Sequence, residues 1–365
     1  MLRYPFILLA LLAARAAMCE PSALKTWIHE GPRATFHVTG DELVTSGAGS
    51  SPNWVHTPLE YENFHLTFDY WLAKWAEAQV IVRAPRDGRP AQAGIAIELA
   101  HDFHKVVDNY ITGAIAGVRP PRDPLPSSFE TWHSVDLLLD GDRLRVTIDG
   151  HVEQDLQLSS DPELRLRLKR GFIGFPDLGY AYKLRNIRLD DLGSPTKYVD
   201  LFDGVSIAGW QGRGTGAWEV RDGHITGADS DGILYAPQEF RDFELTALVR
   251  SHHRVNSGIF LRGRPSGANR GFEIQVYSPV EAVYPTGSIY GQVRSRIEAD
   301  YEERWFLMQV TLQGLHCRVR IDGHTVAETD QIPEKNDVPG QIGLQIHSVD
   351  SSVDFRDLRV YPLSR

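Results

Sequence analysis

One domain occurs twice in this chain, because the same framework residues recur in the same order in each half. The run Arg145-Val-x-Ile-Asp-Gly-His151 returns as Arg318-Val-x-Ile-Asp-Gly-His324, and Pro58-x-Glu60 returns as Pro237-x-Glu239. A chain of 365 residues is long enough for two domains that each bury their own core. The repeat therefore predicts a tandem protein and excludes one continuous fold.

A short stretch between the repeats, Gly-Ser-Pro-Thr-Lys at residues 193–197, is typical of a domain boundary. We therefore expect a first domain over residues 27–192, a linker over 193–197 and a second domain over 198–365. Strands and turns should dominate both, because many segments alternate apolar and polar residues with period two and end on Asp-Gly dipeptides. This pattern favours an all-β fold with two-sheet sandwiches of antiparallel strands.

Residues 1–19 are predicted to be a signal peptide, with Arg3 at the start, an apolar segment and then small residues. The apolar segment is too short for a bilayer of about 30 Å, so no membrane span is expected. We expect a secreted or periplasmic protein. Lipid anchoring at Cys19 is a second reading, because Ala-Ala-Met-Cys is a weak match to a lipoprotein signal.

The charge balance argues against nucleic acid as a partner. The formal charge is −10 and becomes about −12 without Arg3 and Arg15, whereas a phosphate backbone needs a concentrated positive face. With only Cys19 and Cys317, we expect neither a disulfide framework nor a thiolate metal site. No cofactor is expected, and the residues leave open both a structural calcium ion and the oligomeric state.

The two copies differ in their polar residues. Between shared framework positions, Gln345-Ile-His347 stands where the first copy has Pro176-Asp-Leu178. An alignment anchored on glycines places Glu273 opposite Ala96, and Tyr290 opposite Ala116. Any chemistry is therefore expected in the second domain.

The second half resembles the 3-keto-disaccharide hydrolase family, and the first half resembles it in framework only. The matching segments are Leu201-Phe-Asp-Gly, Asn256-Ser-Gly-Ile-Phe-Leu-Arg262, Gly271-Phe-Glu-Ile-Gln275, Pro285-Thr-Gly-Ser-Ile-Tyr290 and Ile342-Gly-Leu-Gln-Ile-His347. The resemblance implies two tandem concanavalin/laminarinase-like jelly-roll β-sandwiches. It also implies an exported enzyme that cleaves 3-keto-glycosides by proton abstraction at C2 and β-elimination, with net hydrolysis.

Three residues are candidates for catalysis. Glu273 is the favoured general base or acid, and its alternative is a strand carboxylate paired with Arg262 or Arg270. Histidine is the residue type that titrates near neutral pH, so His347 could serve as acid or base, or be a hydrogen-bonded structural residue. Arg262 could hold a developing enolate, but Arg83 repeats it in the first copy, so a structural ion pair shared by both domains is an equal alternative.

Four further residues are candidates for substrate binding. Gln275 alternates with Glu273 and Gln345 with His347, so each pair should share one strand face. The last two are Asn256, which could instead be a turn residue, and Tyr290. The expected partner is an oligosaccharide or glycoside. A carbohydrate-binding protein without catalysis is the second hypothesis, because a jelly roll supports both functions.

Overall fold

The computed structural model describes residues 26–31, 35–47, 53–100, 107–124 and 128–364. The predicted signal peptide and Cys19 lie outside this part of the chain. Antiparallel strands dominate both halves, which confirms the all-β prediction. Within the described residues the helices are one four-residue turn, α1 (Pro90–Ala93), and three 3-10 turns (Leu158–Ser160, Leu164–Leu166 and Glu334–Asn336). No helix in these ranges is long and apolar enough to cross a membrane.

The first domain is a sandwich of two sheets. A five-stranded sheet has the order β1-β4-β11-β6-β7, and a seven-stranded sheet has the order β10-β9-β8-β5-β12-β3-β2. The strands are β1 (Ile28–Glu30), β2 (Phe36–Thr39), β3 (Glu42–Ser46), β4 (Trp54–His56), β5 (Asn63–Leu72), β6 (Glu77–Ala84), β7 (Ile95–Ala100), β8 (Trp132–Asp140), β9 (Arg143–Ile148), β10 (His151–Gln157), β11 (Phe172–Pro176) and β12 (Ala181–Gly193).

The second domain repeats this architecture with two long strands that take part in both sheets. Its strands are β13 (Val199–Asp200), β14 (Gln211–Gly214), β15 (Ala217–Arg221), β16 (His224–Phe240), β17 (Phe243–Ser251), β18 (Asn256–Gly263), β19 (Phe272–Tyr277), β20 (Trp305–Gln313), β21 (His316–Ile321), β22 (His324–Thr329) and β23 (Gly340–Pro362). The front sheet combines β14, the second half of β16, the first half of β23, β18 and β19. The back sheet combines β15, the first half of β16, the second half of β23, β17, β20, β21 and β22, with β13 paired to β23.

Each sandwich buries its own apolar core. One core is drawn from residues 27–187 and the other from residues 201–360, and the predicted linker lies between the two sets. Alternation along the strands produces these cores, as in β19, where Phe272, Ile274 and Val276 point inward. The residues between them therefore face outward.

The Asp-Gly dipeptides at residues 149–150 and 322–323 form tight hairpins, as their sequence predicts. Asp149 and Gly150 have φ of 48° and 81°, and Asp322 and Gly323 have φ of 46° and 83°. Two consecutive positive φ values are the signature of a type I′ turn, whose twist matches antiparallel strands. The same turn therefore closes the same hairpin in both copies.

The two domains pack against each other through the segment Arg86–Ala93. Ala93 is buried in a cluster with Leu248 and Leu307 from the outer face of the second domain's back sheet. Arg356 pairs with Asp87 beside this cluster. The first domain thus covers the back sheet of the second domain and leaves its front sheet uncovered.

Candidate active site

The outer face of the front sheet in domain two brings together most of the predicted site residues. On this sheet Gln345 of β23 lies opposite Gly258 of β18, and Gly258 lies opposite Gln275 of β19. Directly opposed residues point to the same side of a sheet, so the two glutamines face each other across a glycine. The sequence predicted that Glu273 and Gln275 share one strand face, and likewise Gln345 and His347. The strand register places both pairs on the same surface.

One pleat further along, the same face carries Glu273. Glu273 lies opposite Phe260, which lies opposite Gly343. Phe260 forms a small apolar cluster with Ile233 and Tyr235 that is separate from the main core. The site therefore has an apolar floor with polar groups along it, which is the usual composition of a small-molecule site.

The absence of a side chain at Gly258 leaves the space that the Glu273 side chain occupies. A Cβ added at Gly258 would lie 2.7 Å from Cγ of Glu273, so any larger residue would displace the carboxylate. Gly343 has the same role beside Tyr235, because a Cβ there would lie 2.7 Å from Cε1 of the ring. Both glycines are needed for close approach of side chains, rather than for unusual backbone angles.

The carboxyl group of Glu273 has no ion-pair or hydrogen-bond partner among the described residues. Burial raises its pKa to about 7, and the nearby His347 opposes this effect only in part. The alternative in which Glu273 pairs with Arg262 or Arg270 is not observed. A half-buried carboxyl without a cation, with a pKa near neutrality, is suited to proton transfer.

Two amide side chains on this face offer acceptors that no protein group occupies. Nε2 of Gln275 donates to Oδ1 of Asn256 at 2.8 Å, which fixes both side chains. Oε1 of Gln275 and Oε1 of Gln345 are buried without a hydrogen-bond partner among the described residues. Because buried polar atoms are normally paired, such acceptors are suited to the hydroxyl groups of a ligand.

His347 and Tyr290 lie at the margins of this face and are accessible. Nδ1 of His347 is 3.0 Å from Oδ1 of Asp231, so a carboxylate orients the ring. The backbone N–H of Tyr290 donates to the carbonyl of Glu273 at 3.0 Å, and its side chain is 53% exposed. The ring of Tyr284 lies 5.2 Å from that of Tyr290 and extends the aromatic surface.

Arg262 does not belong to this site, which corrects its assignment as a catalytic residue. Its side chain is fully buried, and its nitrogens donate to the carbonyls of Arg241, Gly314 and Asn336 and to Asp242 at 2.7–3.1 Å. The backbone at Arg262 has φ of 54°, at an irregularity of the strand register, and this bulge separates it from the alternation that holds Glu273 outward.

Arg83 in the first domain shows the same arrangement and explains why the residue recurs. It also has a positive φ, 49°, and it donates to the carbonyls of Glu62 and Gly141. Its third partner is Oδ1 of Asn63, at the position that Asp242 occupies in the second copy. The alternative that this arginine is a structural residue shared by both domains, rather than a catalytic one, therefore fits both copies.

The corresponding face of domain one is closed by its own chain. Ala96 lies opposite Ile81, as Glu273 lies opposite Phe260, so the register places Ala96 where the sequence alignment put it. Ile81 and Ala96 are buried in a cluster with Trp54 and Phe172. The guanidinium of Arg86 lies 5.4 Å from the Phe172 ring and covers this cluster. Farther along the same face, Gln79 donates to Glu98 at 2.8 Å, so the polar groups there are paired with each other.

Several residues of the site were missed at the sequence level. Ile233, Tyr235 and Phe260 form its floor, and Asp231 orients His347. The signal was present in the run Ile233-Leu-Tyr-Ala236, which is apolar at every position and therefore indicates a strand covered on both faces.

The family of the chain follows from its sequence. The pattern of the family described as the 3-keto-alpha-glucoside-1,2-lyase-like domain matches residues 19–190 and again residues 197–361. The chain belongs to this family. The 3-keto-alpha-glucoside-1,2-lyase-like domain is thus present twice, which confirms both the resemblance and the tandem arrangement. No curated protein matches the sequence significantly.

Solved structures with a similar fold each match somewhat less than half of the chain. A "putative glycosyl hydrolase" from Parabacteroides distasonis is 17% identical with a TM-score of 0.41, and covers 46% of this chain and 94% of its own. The carbohydrate-binding module CBM66 from Bacillus subtilis is 17% identical with a TM-score of 0.31, over 41% and 94%. A Bacillus subtilis protein of unknown function with a galectin-like fold is 12% identical with a TM-score of 0.35, over 47% and 98%.

The described residues contain no group of three or more His, Cys, Asp or Glu side chains arranged to hold a metal ion. The adjacent His252 and His253 pair with carboxylates: His252 lies 2.9 Å from Glu303 and 2.8 Å from Asp354, and His253 lies 3.2 Å from Glu302. The expectations on cofactors and calcium stay predictions.

Proposed function

We propose that this protein is an exported carbohydrate-active enzyme that cleaves 3-keto-glycosides, and that its second domain is catalytic. The family supports a sugar substrate of this class. The observation that carries the proposal is Glu273, a desolvated carboxyl with a pKa of about 7 beside two unpartnered amide oxygens. The first copy has Ala96 at this position, buried in an apolar cluster, which supports the proposal that the chemistry belongs to domain two.

The proposed reaction begins with the removal of the proton on C2 of the sugar. A ketone at C3 acidifies this proton, and the Glu273 carboxylate accepts it. The electron pair of the C–H bond forms the C1–C2 double bond, and the C1–O bond breaks with both electrons on the leaving oxygen. That oxygen then needs a proton, and His347 is the proposed donor because Asp231 orients its ring.

Water completes a net hydrolysis in the second step. Its oxygen bonds to C1 of the unsaturated ketone while one of its protons passes to His347, which thereby regains the proton that it gave to the leaving oxygen. C2 takes a proton from the Glu273 carboxyl, so both groups return to their starting forms. A base with a pKa near 7 is suited to both directions of this transfer. The chemistry does not need the paired carboxylates of ordinary glycosidases.

The remaining residues of the face are proposed to bind the sugar. Hydroxyl groups would donate to the free oxygens of Gln275 and Gln345, and Asn256 would hold the Gln275 amide in place. The apolar floor at Phe260 suits the C–H face of a pyranose ring. Tyr290 and Tyr284 offer a stacking surface for the aglycone.

The test is product analysis by mass spectrometry and NMR after incubation of the mature protein with a 3-keto-glucoside and with its unoxidised parent. Release of the aglycone from the keto sugar alone is expected. Glu273→Gln should abolish this release, whereas Glu281→Gln, at an exposed carboxylate of the same domain, should leave it unchanged. Saturable sugar binding with no release from either compound would instead identify a carbohydrate-binding protein.

A further inference from the structure

A polar cavity lies between the two domains, at the outer face of the back sheet of domain two. Its volume is about 50 Å³. One wall is the segment Arg165–Arg170 of domain one, and the other is formed by β17, β20 and β23. It is therefore separate from the front sheet that carries Glu273.

Cationic side chains dominate the lining of this interdomain cavity. They come from both domains, whereas Glu244 is the only carboxylate in the lining as the structure describes it. The cations are Arg165, Arg167, Lys169, Arg170, Arg320 and Arg359. Such a concentration of positive charge at an interface is unfavourable unless anions balance it.

Carboxylates around the cavity balance part of this charge. Lys169 lies 3.4 Å from Glu244, and Glu60 pairs with Arg359 at 2.9 Å and with Arg170 at 3.5 Å. Arg167 has no carboxylate within 4 Å among the described residues, and Arg320 reaches one only at 3.8 Å, on Glu163. Two guanidinium groups thus remain without a close counter-charge.

These two arginines also have buried donors without acceptors. Nε and Nη1 of Arg167 and Nε of Arg320 are shielded from solvent and have no hydrogen-bond partner among the described residues. The Arg320 side chain is only 3% exposed, and its other nitrogens donate to the carbonyls of Leu166 and Gly323, which fixes the group at the domain boundary. The field of the pair extends to His324, whose pKa is lowered by burial and by the nearby Arg167, Arg89 and Arg320.

We propose that the interdomain cavity binds one oxyanion of the phosphate or sulfate type, which links the two domains. Three nitrogen atoms of two guanidinium groups, which carry four N–H donors, match the several acceptors of a tetrahedral anion. The cavity volume of about 50 Å³ is roughly three to five times the 10–15 Å³ that a single water needs, which leaves space for a small tetrahedral anion. The anion neutralises cations of both domains and so stabilises their packing.

The test measures thermal unfolding of the mature two-domain protein in sodium phosphate, sodium sulfate and sodium chloride at equal ionic strength. We expect Tm to rise by about 2 °C or more over chloride when phosphate is tenfold above its Kd. Glycerol phosphate is a second arm: an equal shift would identify an esterified phosphate as ligand, and a shift with inorganic anions alone would identify the free ion.

Arg167→Gln should lose this shift while remaining folded, because Arg167 makes no ion pair in the described structure. Arg188→Gln, at an exposed arginine of the same domain, should keep the shift. Titration calorimetry of phosphate into the wild-type protein provides a measurement that needs no variant, and saturable heat is expected. The proposal is overturned by equal Tm in all three salts, by an unchanged shift in Arg167→Gln, or by the absence of saturable heat.

Discussion

The substitution Glu273→Gln should make the protein more stable at neutral pH while removing its proposed activity. Burial raises the pKa of Glu273 from 4.5 to about 7, so the folded protein disfavours the ionised form. The rise of this pKa from 4.5 to about 7 corresponds to a cost of about 3 kcal/mol for ionising the carboxyl in the folded protein. Glutamine has nearly the shape of the protonated acid and never ionises, so it avoids this cost.

The difference in the free energy of unfolding between Glu273→Gln and the wild type depends on pH through proton linkage. Below pH 4.5 the carboxyl is protonated in both the folded and the unfolded state, so the variant and the wild type should be equally stable. Between pH 4.5 and 7 the unfolded state loses the proton first, and the free energy of unfolding of the wild type falls. Above pH 7 the difference reaches its full value of about 3 kcal/mol.

Urea denaturation at pH 4.5, 6 and 8, followed by tryptophan fluorescence, measures this difference. Glu281→Gln is the matched control, because its carboxylate is exposed and should give no pH-dependent gain. A Glu273→Gln variant that is less stable than the wild type at pH 8, or equally offset at all three pH values, would refute the account of Glu273 as an unpaired buried acid.

Three further predictions follow from the same contacts. First, the rising limb of the kcat/KM profile for a 3-keto-glucoside should have its midpoint near pH 7, because the Glu273 base must be ionised; a pH–rate profile without this limb would contradict the role of Glu273 as base. Second, Gly258→Ala should lower kcat roughly 10- to 100-fold, because its Cβ would lie 2.7 Å from Cγ of Glu273, and steady-state kinetics with circular dichroism as the folding check measure this. Third, Arg262→Met should destabilise domain two by about 3–5 kcal/mol in urea denaturation, because it removes the buried cation that pairs with Asp242 and donates to three carbonyls, whereas Arg264→Met, at an exposed ion pair, should cost less than about 1 kcal/mol.

The fold was predictable from local sequence signals because strands and tight turns depend on neighbouring residues. Period-two alternation fixed the inward face of β19, and the Asp-Gly dipeptides fixed the hairpins at residues 149–150 and 322–323. The repeat then provided an internal comparison that predicted where Glu273 faces Ala96. That prediction agrees with the strand register in both domains.

The arrangement of the site across strands was harder to predict from the sequence, because the register between distant strands leaves no local signal. Gln345 and Gln275 are 70 positions apart in the chain, and they face each other only because Gly258 lies between them on β18. The role of Gly258 as the space for Glu273 likewise depends on this pairing. The sequence shows a glycine there but not what fills the space above it.

Arg262 shows how the comparison of two copies separates framework from chemistry. It lies on the same strand as Asn256, in a motif of the family, and alternation alone places it on the face of Glu273. A left-handed residue at the bulge breaks that alternation, and the buried arginine ties three carbonyls and Asp242 together. Domain one has a buried alanine, Ala96, at the position of the acid but keeps Arg83 in the same bulge. A residue that survives the loss of the site serves the fold, so the polar residues that survive only in domain two are those on which the proposed chemistry depends.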